Sequence, residues 1–108
     1  MANRQKTISE LRALEIFRLA AGMTRNEVSE KIGKTVQTIF RWENGEGEAD
    51  YKTLAQLAGL YGVPQDELVA ATVAEASGQD AKAYRSVRAA IERLGYQVET
   101  VITRKKTE

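Results

Sequence analysis

Apolar side chains recur at steps of three and four near the start of the chain, with polar positions between them. That spacing places side chains on one face of an α-helix. Gly22 follows the series, and helix C-termini favour glycine because it adopts the left-handed conformation without strain. The pattern therefore predicts an amphipathic helix over residues 8–21. Its apolar positions are Leu11, Leu14, Phe17 and Ala21.

Four shorter helices are predicted in the next segment from residues that favour helix starts. Thr24 and Glu27 have the spacing of a capping box, in which each side chain accepts a hydrogen bond from the other residue's backbone N–H. Thr35 and Asp50 are N-cap candidates for the third and fourth helices, and Pro64 suits the first turn of a fifth. Only three residues, beginning with a glycine, join the second and third helices. Such a turn is typical of a helix-turn-helix unit, although a small helical bundle without that function has the same pattern.

The composition narrows the class of protein. Apolar residues make up 43% of 108 residues, which is enough for one modest core, and no apolar run is long enough to span a bilayer. No signal-peptide stretch follows Met1, so we expect a cytoplasmic protein. The chain has no cysteine and no histidine. Thiolate nucleophiles, Cys-ligated metals and the commonest general base are therefore excluded, and we expect no enzyme activity, no cofactor and no metal site.

The net charge of +1 conceals an uneven distribution. Residues 1–41 hold eight Lys or Arg and four Asp or Glu, and residues 81–108 hold seven and three. Residues 42–80 hold one Lys and eight acids. This asymmetry indicates separate basic and acidic faces, or, more simply, differently solvated helix surfaces.

Three runs in the helix-turn-helix segment carry a resemblance to a known family. They are GMTRNEVSEKIG from Gly22, TVQTI from Thr35 and RWENG from Arg41. The segment closely resembles the Cro/C1-type helix-turn-helix (XRE) family, to which phage repressors, restriction-modification controllers and many antitoxins belong. Downstream, LAQLA and GVPQDEL are similar to the fourth and fifth helices of that family. The resemblance covers about residues 8–70 and implies a mainly α, five-helix, lambda-repressor-like domain that binds double-stranded DNA.

The resemblance implies that the third helix lies in the major groove and contacts base edges. Gln37 offers a donor and an acceptor suited to adenine, and the guanidinium of Arg41 fits guanine O6 and N7. Val36 suits contact with a thymine methyl group. Any of these side chains could instead be simply solvated. The implied base contacts are Val36, Gln37, Thr38, Phe40 and Arg41.

The same resemblance implies contacts to the DNA backbone and one structural pair. Phosphate contacts are expected at the start of the second helix, in the turn and after the third helix. These candidates are Thr24, Arg25, Lys34, Thr35 and Asn44. Arg18 and Glu43 match a partly buried ion pair that ties the first helix to the end of the third, and we interpret them as scaffold.

The loop at residues 46–50 departs from the family, because many members have Lys or Arg where this chain has three acids. Asp50 is explained as an N-cap. Glu46 and Glu48 should repel phosphates within a Debye length of about 8–10 Å. Either the loop points away from the duplex, or affinity comes from the basic arm with Arg4 and Lys6 and from the C-terminal segment.

The last third of the chain predicts a helix and then a strand. An apolar stripe ends at Gly95, and the β-branched and aromatic residues of 96–103 favour a strand that needs a partner. We therefore expect a flexible N-terminal arm at 1–7, a DNA-binding domain at 8–75 and a helix-strand dimerisation element at 76–108. The dimerisation candidates are Tyr84, Val87, Ile91, Leu94, Tyr96, Val98, Thr100 and Ile102.

These patterns together indicate a sequence-specific regulator of transcription. As the resemblance implies, it would be a repressor that binds an inverted-repeat operator as a homodimer. One alternative is the antitoxin of a toxin–antitoxin pair, whose tail would contact the toxin. Another is an adaptor that binds proteins and has lost its affinity for DNA.

Overall fold

The structure is a computed structural model that describes residues 11–95. This part is mainly α and contains no strand; the predicted arm and the predicted strand at 96–103 lie outside the described residues. None of its helices has the length and apolar character needed to span a bilayer. The six helices are α1 (Ala13–Ala20), α2 (Arg25–Ile32), α3 (Val36–Glu43), α4 (Tyr51–Tyr61), α5 (Gln65–Ala76) and α6 (Asp80–Arg93).

The sequence signals at both ends of α2 are confirmed. The backbone N–H of Thr24 donates to Glu27 Oε1 at 2.8 Å, and that of Glu27 donates to Thr24 Oγ1 at 3.1 Å. The capping box therefore sets the start of α2. Gly33 ends the helix at a φ of +73°, a conformation that side chains other than glycine rarely adopt. The Ser29 hydroxyl, which donates to the Lys34 carbonyl at 2.5 Å, closes the turn.

The N-caps predicted for α3 and α4 are also confirmed. Thr35 Oγ1 accepts from the Thr38 N–H at 3.1 Å, and Asp50 Oδ1 accepts from the Thr53 N–H at 2.8 Å. Side-chain and backbone hydrogen bonds from Thr53 lower the pKa of Asp50. Asp50 is therefore accounted for as a cap, as its position in the sequence predicts.

The start of α1 differs from the prediction, because the helix begins at Ala13 and Arg12 is extended. The reason lies on another helix. The backbone N–H of Ala13 donates to Glu75 Oε2 of α5 at 2.6 Å. Burial raises the pKa of Glu75, while the hydrogen bond from Ala13 opposes that shift. A carboxylate 62 positions away thus accepts from the first turn of α1, and no local pattern in the sequence indicates it.

Helix α1 lies at the centre of the fold rather than at its surface. All eight of its residues are buried, although the sequence predicts one apolar face. Phe17 belongs to the predicted face, whereas Ile16 and Leu19 lie outside it and are each only 1% exposed. The core is formed by α1 and by apolar residues of the helices around it, such as Leu57 of α4 and Leu68 of α5. A second layer of helices must therefore cover α1.

Helices α5 and α6 supply that layer. Helix α5 has 12 residues and continues to Ala76. Helix α6 begins at Asp80, and Gln79 occupies its N-cap position. Arg93 near the end of α6 donates a hydrogen bond to Glu67 of α5. The buried residues of α6 are Ala83, Val87, Ala90 and Ile91.

The predicted dimerisation stripe on α6 is accordingly divided between the core and the surface. Val87 is 1% exposed and Ile91 is fully buried, both within this chain, so neither offers a surface to a second copy. Tyr84 is half-buried and Leu94 is 40% exposed. The reason for the difference is that α1 is also apolar outside its predicted face, on a second face that carries Ile16 and Leu19. Packing of α6 against α1 removes apolar surface from water.

Candidate nucleic-acid interface

The exposed side of α3 carries two parallel rows of side chains. Val36 and Phe40 form an apolar row, 37% and 47% exposed, and Gln37 and Arg41 form a polar row beside it. Residues four apart are neighbours on a helix surface. Ile39, on the opposite side, is 2% exposed and anchors the helix in the core. The structure thus brings four of the five predicted base contacts onto one exposed surface.

The fifth candidate, Thr38, is half-buried and belongs to the cap of α3. Its hydroxyl oxygen lies 2.9 Å from that of Thr35, and the two groups share a hydrogen bond. Among the predicted backbone contacts, Thr24, Lys34 and Asn44 are all exposed. Asn44 Nδ2 donates to the Phe40 carbonyl at 2.8 Å and so helps to close the end of α3.

A buried ion pair holds α3 against α1. Arg18 Nε donates to Glu43 Oε2 at 2.7 Å, and Nη2 lies 3.4 Å from Oε1 of the same carboxylate. Arg18 is fully buried and Glu43 is 2% exposed. Arg18 Nη1 also donates to the Met23 carbonyl at 2.8 Å. The pair therefore links three segments, namely α1, the connection before α2 and the end of α3.

Arg25 joins the same cluster. Its Nε donates to Glu43 Oε1 at 2.9 Å, and its Nη2 lies 3.3 Å from Glu15 Oε2. The guanidinium carbon is 5.0 Å from the centre of the Phe40 ring, which is a cation–π distance. The structure thus places the Arg25 guanidinium against α1 and α3, with 23% of the side chain exposed. The phosphate contact that the resemblance implies for Arg25 stays a prediction.

Sequence reasoning missed two members of this cluster. Glu15 is 5% exposed and lies 3.8 Å from Arg18, one turn away on α1, a spacing that could have indicated the pair. Tyr61 of α4 is 5% exposed. Burial, and then the charge of Glu43, raises the pKa of Tyr61 above its ordinary value.

The acidic loop begins directly at the end of α3 and lies next to α1 and α5. The backbone N–H of Glu46 donates to the Arg41 carbonyl at 2.8 Å. The guanidinium of Arg12 lies so close to Gly45 that a Cβ there would be 2.9 Å from it. A cleft of about 290 Å³ separates the loop from the second half of α5. Its apolar lining consists of Leu14, Trp42, Ala49, Leu54, Val73 and Ala76.

A family model described as helix-turn-helix matches residues 14–68, about half of the chain. The chain belongs to the Cro/C1-type helix-turn-helix family. Members of this family are DNA-binding regulators of transcription, and their helix-turn-helix domain is typically non-enzymatic. No curated protein and no solved structure matches the chain.

The Cro/C1-type match ends at Leu68, in the first half of α5. It includes α3, the Arg18–Glu43 pair and the acidic loop, and it excludes α6. In this member of the family, therefore, the helix that covers the second face of α1 lies beyond the matched region.

Proposed function

We propose that this protein represses transcription by placing α3 in the major groove of an operator and excluding other proteins from that site. The observation that carries this proposal is the exposed surface of α3. Its two rows offer hydrogen-bonding side chains and apolar side chains next to each other, while Ile39 and Glu43 hold the other side of the helix in the core. A recognition helix needs such a combination of an exposed reading face and a rigid support.

The side chains in the two rows on α3 suggest which bases the helix contacts. Gln37 can accept from and donate to an adenine edge, and Arg41 can donate two hydrogen bonds to guanine. Val36 and Phe40 can contact thymine methyl groups. We therefore expect a half-site that contains an adenine and a guanine, with thymines beside them.

Contacts to the DNA backbone are proposed on both sides of α3. Lys34 and Thr35 are exposed in the turn, Asn44 is exposed after the helix and Thr24 is exposed at the start of α2. Contacts of this kind set the register and affinity of the complex but carry no sequence information.

We further propose that two copies bind an inverted repeat. One helix-turn-helix module contacts a single half-site, so useful specificity needs two modules held about one DNA turn apart. The predicted strand at 96–103 is the proposed contact between copies, and pairing of identical strands about a two-fold axis is self-complementary. Leu94, which is 40% exposed, precedes that segment by two positions in the sequence.

Selection of bound duplexes from a random pool tests this function directly. We expect the selected sequences to contain an inverted repeat with half-site centres about 10 base pairs apart. Enrichment of single half-sites would argue against the dimer, and absence of any enriched sequence would argue against sequence-specific binding.

Gln37→Ala should weaken binding to the selected site by about 1–3 kcal/mol and leave binding to random DNA nearly unchanged. The reason is that the variant removes a base contact and no phosphate contact. Titrations of both duplexes at one salt concentration measure the effect. Gln56→Ala, an exposed glutamine on α4, is the matched control and should change neither. Equal losses on both duplexes would place Gln37 outside the base-reading surface.

Replacement of Glu46 and Glu48 by glutamine should tighten binding to any duplex, and most strongly at low salt. Both carboxylates are exposed in the loop that follows α3, where they repel phosphates within a Debye length. Asp66→Asn with Glu92→Gln removes two charges from α5 and α6 and serves as the control. An unchanged affinity would show that the loop faces away from the duplex.

A further inference from the structure

We propose that Arg25 is a positioning residue, which orients α3 and the Phe40 ring for base contact, and that it does not contact a DNA phosphate. This inference rests on the proposed function, because it concerns how α3 is presented to DNA. Arg25 occupies the first position of α2, where the family resemblance alone implies a backbone contact.

The first argument is that the guanidinium already has partners on two other helices. Nε donates to Glu43 at the end of α3 at 2.9 Å, and Nη2 lies 3.3 Å from Glu15 on α1. Its side chain is 23% exposed, whereas the two carboxylate side chains are 1% and 6% exposed. The planar guanidinium group of arginine has several fixed N–H donors and can therefore bridge two carboxylates. The single flexible ammonium group of a lysine would bridge them less well.

The second argument concerns charge. Within the described residues, Arg18 and Arg25 both lie against Glu15 and Glu43. If Arg25 turned outward to a phosphate, both carboxylates would stay buried with one cation fewer. Leaving a buried charge without a partner lowers the stability of the fold. The guanidinium of Arg25 therefore stays paired with the two carboxylates and does not turn toward a phosphate.

The third argument is the contact with the reading face. The guanidinium carbon lies 5.0 Å from the centre of the Phe40 ring. That ring is 47% exposed and shares the apolar row with Val36. One part of the Phe40 ring therefore contacts the guanidinium of Arg25, and the exposed part can contact bases in the major groove. Arg25 thus acts on base recognition through Phe40 and through the angle of α3.

The test compares Arg25→Lys with Arg25→Ala on the selected operator and on random DNA over a series of salt concentrations. The lysine variant keeps the charge but loses the fork and the planar stack. We expect both variants to lose roughly tenfold in operator affinity and to keep the wild-type salt slope. Lys34→Ala, at a proposed phosphate contact, is the matched control and should lower the salt slope by about one unit.

A double-mutant cycle separates positioning from a general loss of structure. We expect the losses of Arg25→Lys and Phe40→Ala on the operator to be less than multiplicative when combined, because one acts through the other. Phe40 is half-exposed, so its replacement leaves the core intact, and circular dichroism should show native helix content in each variant.

Two results would overturn the inference while leaving the proposed function in place. One is wild-type affinity in Arg25→Lys, and the other is a salt slope lowered by about one unit in Arg25→Ala, since both indicate a phosphate contact. A wild-type protein that selects no duplex at all would instead overturn the proposed function, and this inference with it.

Discussion

Arg18→Met should lower the free energy of unfolding by about 3–5 kcal/mol, because removing one partner of a buried ion pair leaves a buried charge uncompensated. Arg18 is fully buried and lies 2.7 Å from Glu43. Small domains have only about 5–15 kcal/mol of stability, so the loss is a large fraction of the total. Urea denaturation followed by the fluorescence of Trp42, the single tryptophan of the chain, measures it.

Two further variants give this prediction its controls. Arg18→Met combined with Glu43→Leu should recover part of the loss, since apolar residues can replace a buried pair at little cost. Arg88→Ala breaks a pair with Glu92 in which both side chains are about half exposed, and we expect a change below about 1 kcal/mol. A loss of that small size in Arg18→Met itself would show that the buried pair does not support α3.

Ile91→Ala should lower the free energy of unfolding by about 2–5 kcal/mol. Ile91 is fully buried in the same core cluster as Ile16 and Leu68, so its truncation leaves a cavity at the centre of the fold. Chemical denaturation measures this effect as well. Leu94→Ala, three residues further along and 40% exposed, is the matched control and should cost well under half as much.

Truncation extends the same argument to the whole of α6. Ending the chain after Gly78 removes Val87 and Ile91 and exposes the second face of α1, so we expect loss of cooperative unfolding. Ending it after Gly95 leaves α6 in place, and we expect the fold to persist. A stable, helical protein that ends at Gly78 would show that α6 is the separable element that the sequence predicts.

Local features of the helix-turn-helix unit were predictable from the sequence. The capping box of Thr24 and Glu27, the cap at Thr35 and the glycine end at Gly33 depend on atoms within a few residues of one another. Four exposed positions on α3 follow from helical periodicity once Ile39 is placed in the core. These features need no distant partner, and the structure has them where the sequence places them.

Features that depend on distant partners were not predictable. The start of α1 is decided by Glu75, which is 62 positions away in the chain. Arg25 is drawn inward by Glu43, which is 18 positions away. Each contact joins two different helices, so no pattern of neighbouring residues indicates it.

The sequence by itself determined the family, because the runs that begin at Gly22, Thr35 and Arg41 carry the likeness to Cro/C1-type helix-turn-helix proteins. It also determined the caps and the short turn, because these depend on residues close together in the chain. Only the tertiary structure decided what covers α1 and which side chains the Arg25 guanidinium contacts. An apolar stripe shows only that a helix face needs cover, and Val87 and Ile91 meet that need on α1 within the same chain. A cation at a helix start is equally suited to a phosphate or a carboxylate, and the contacts of Arg25 with two buried carboxylates exist only in the folded chain.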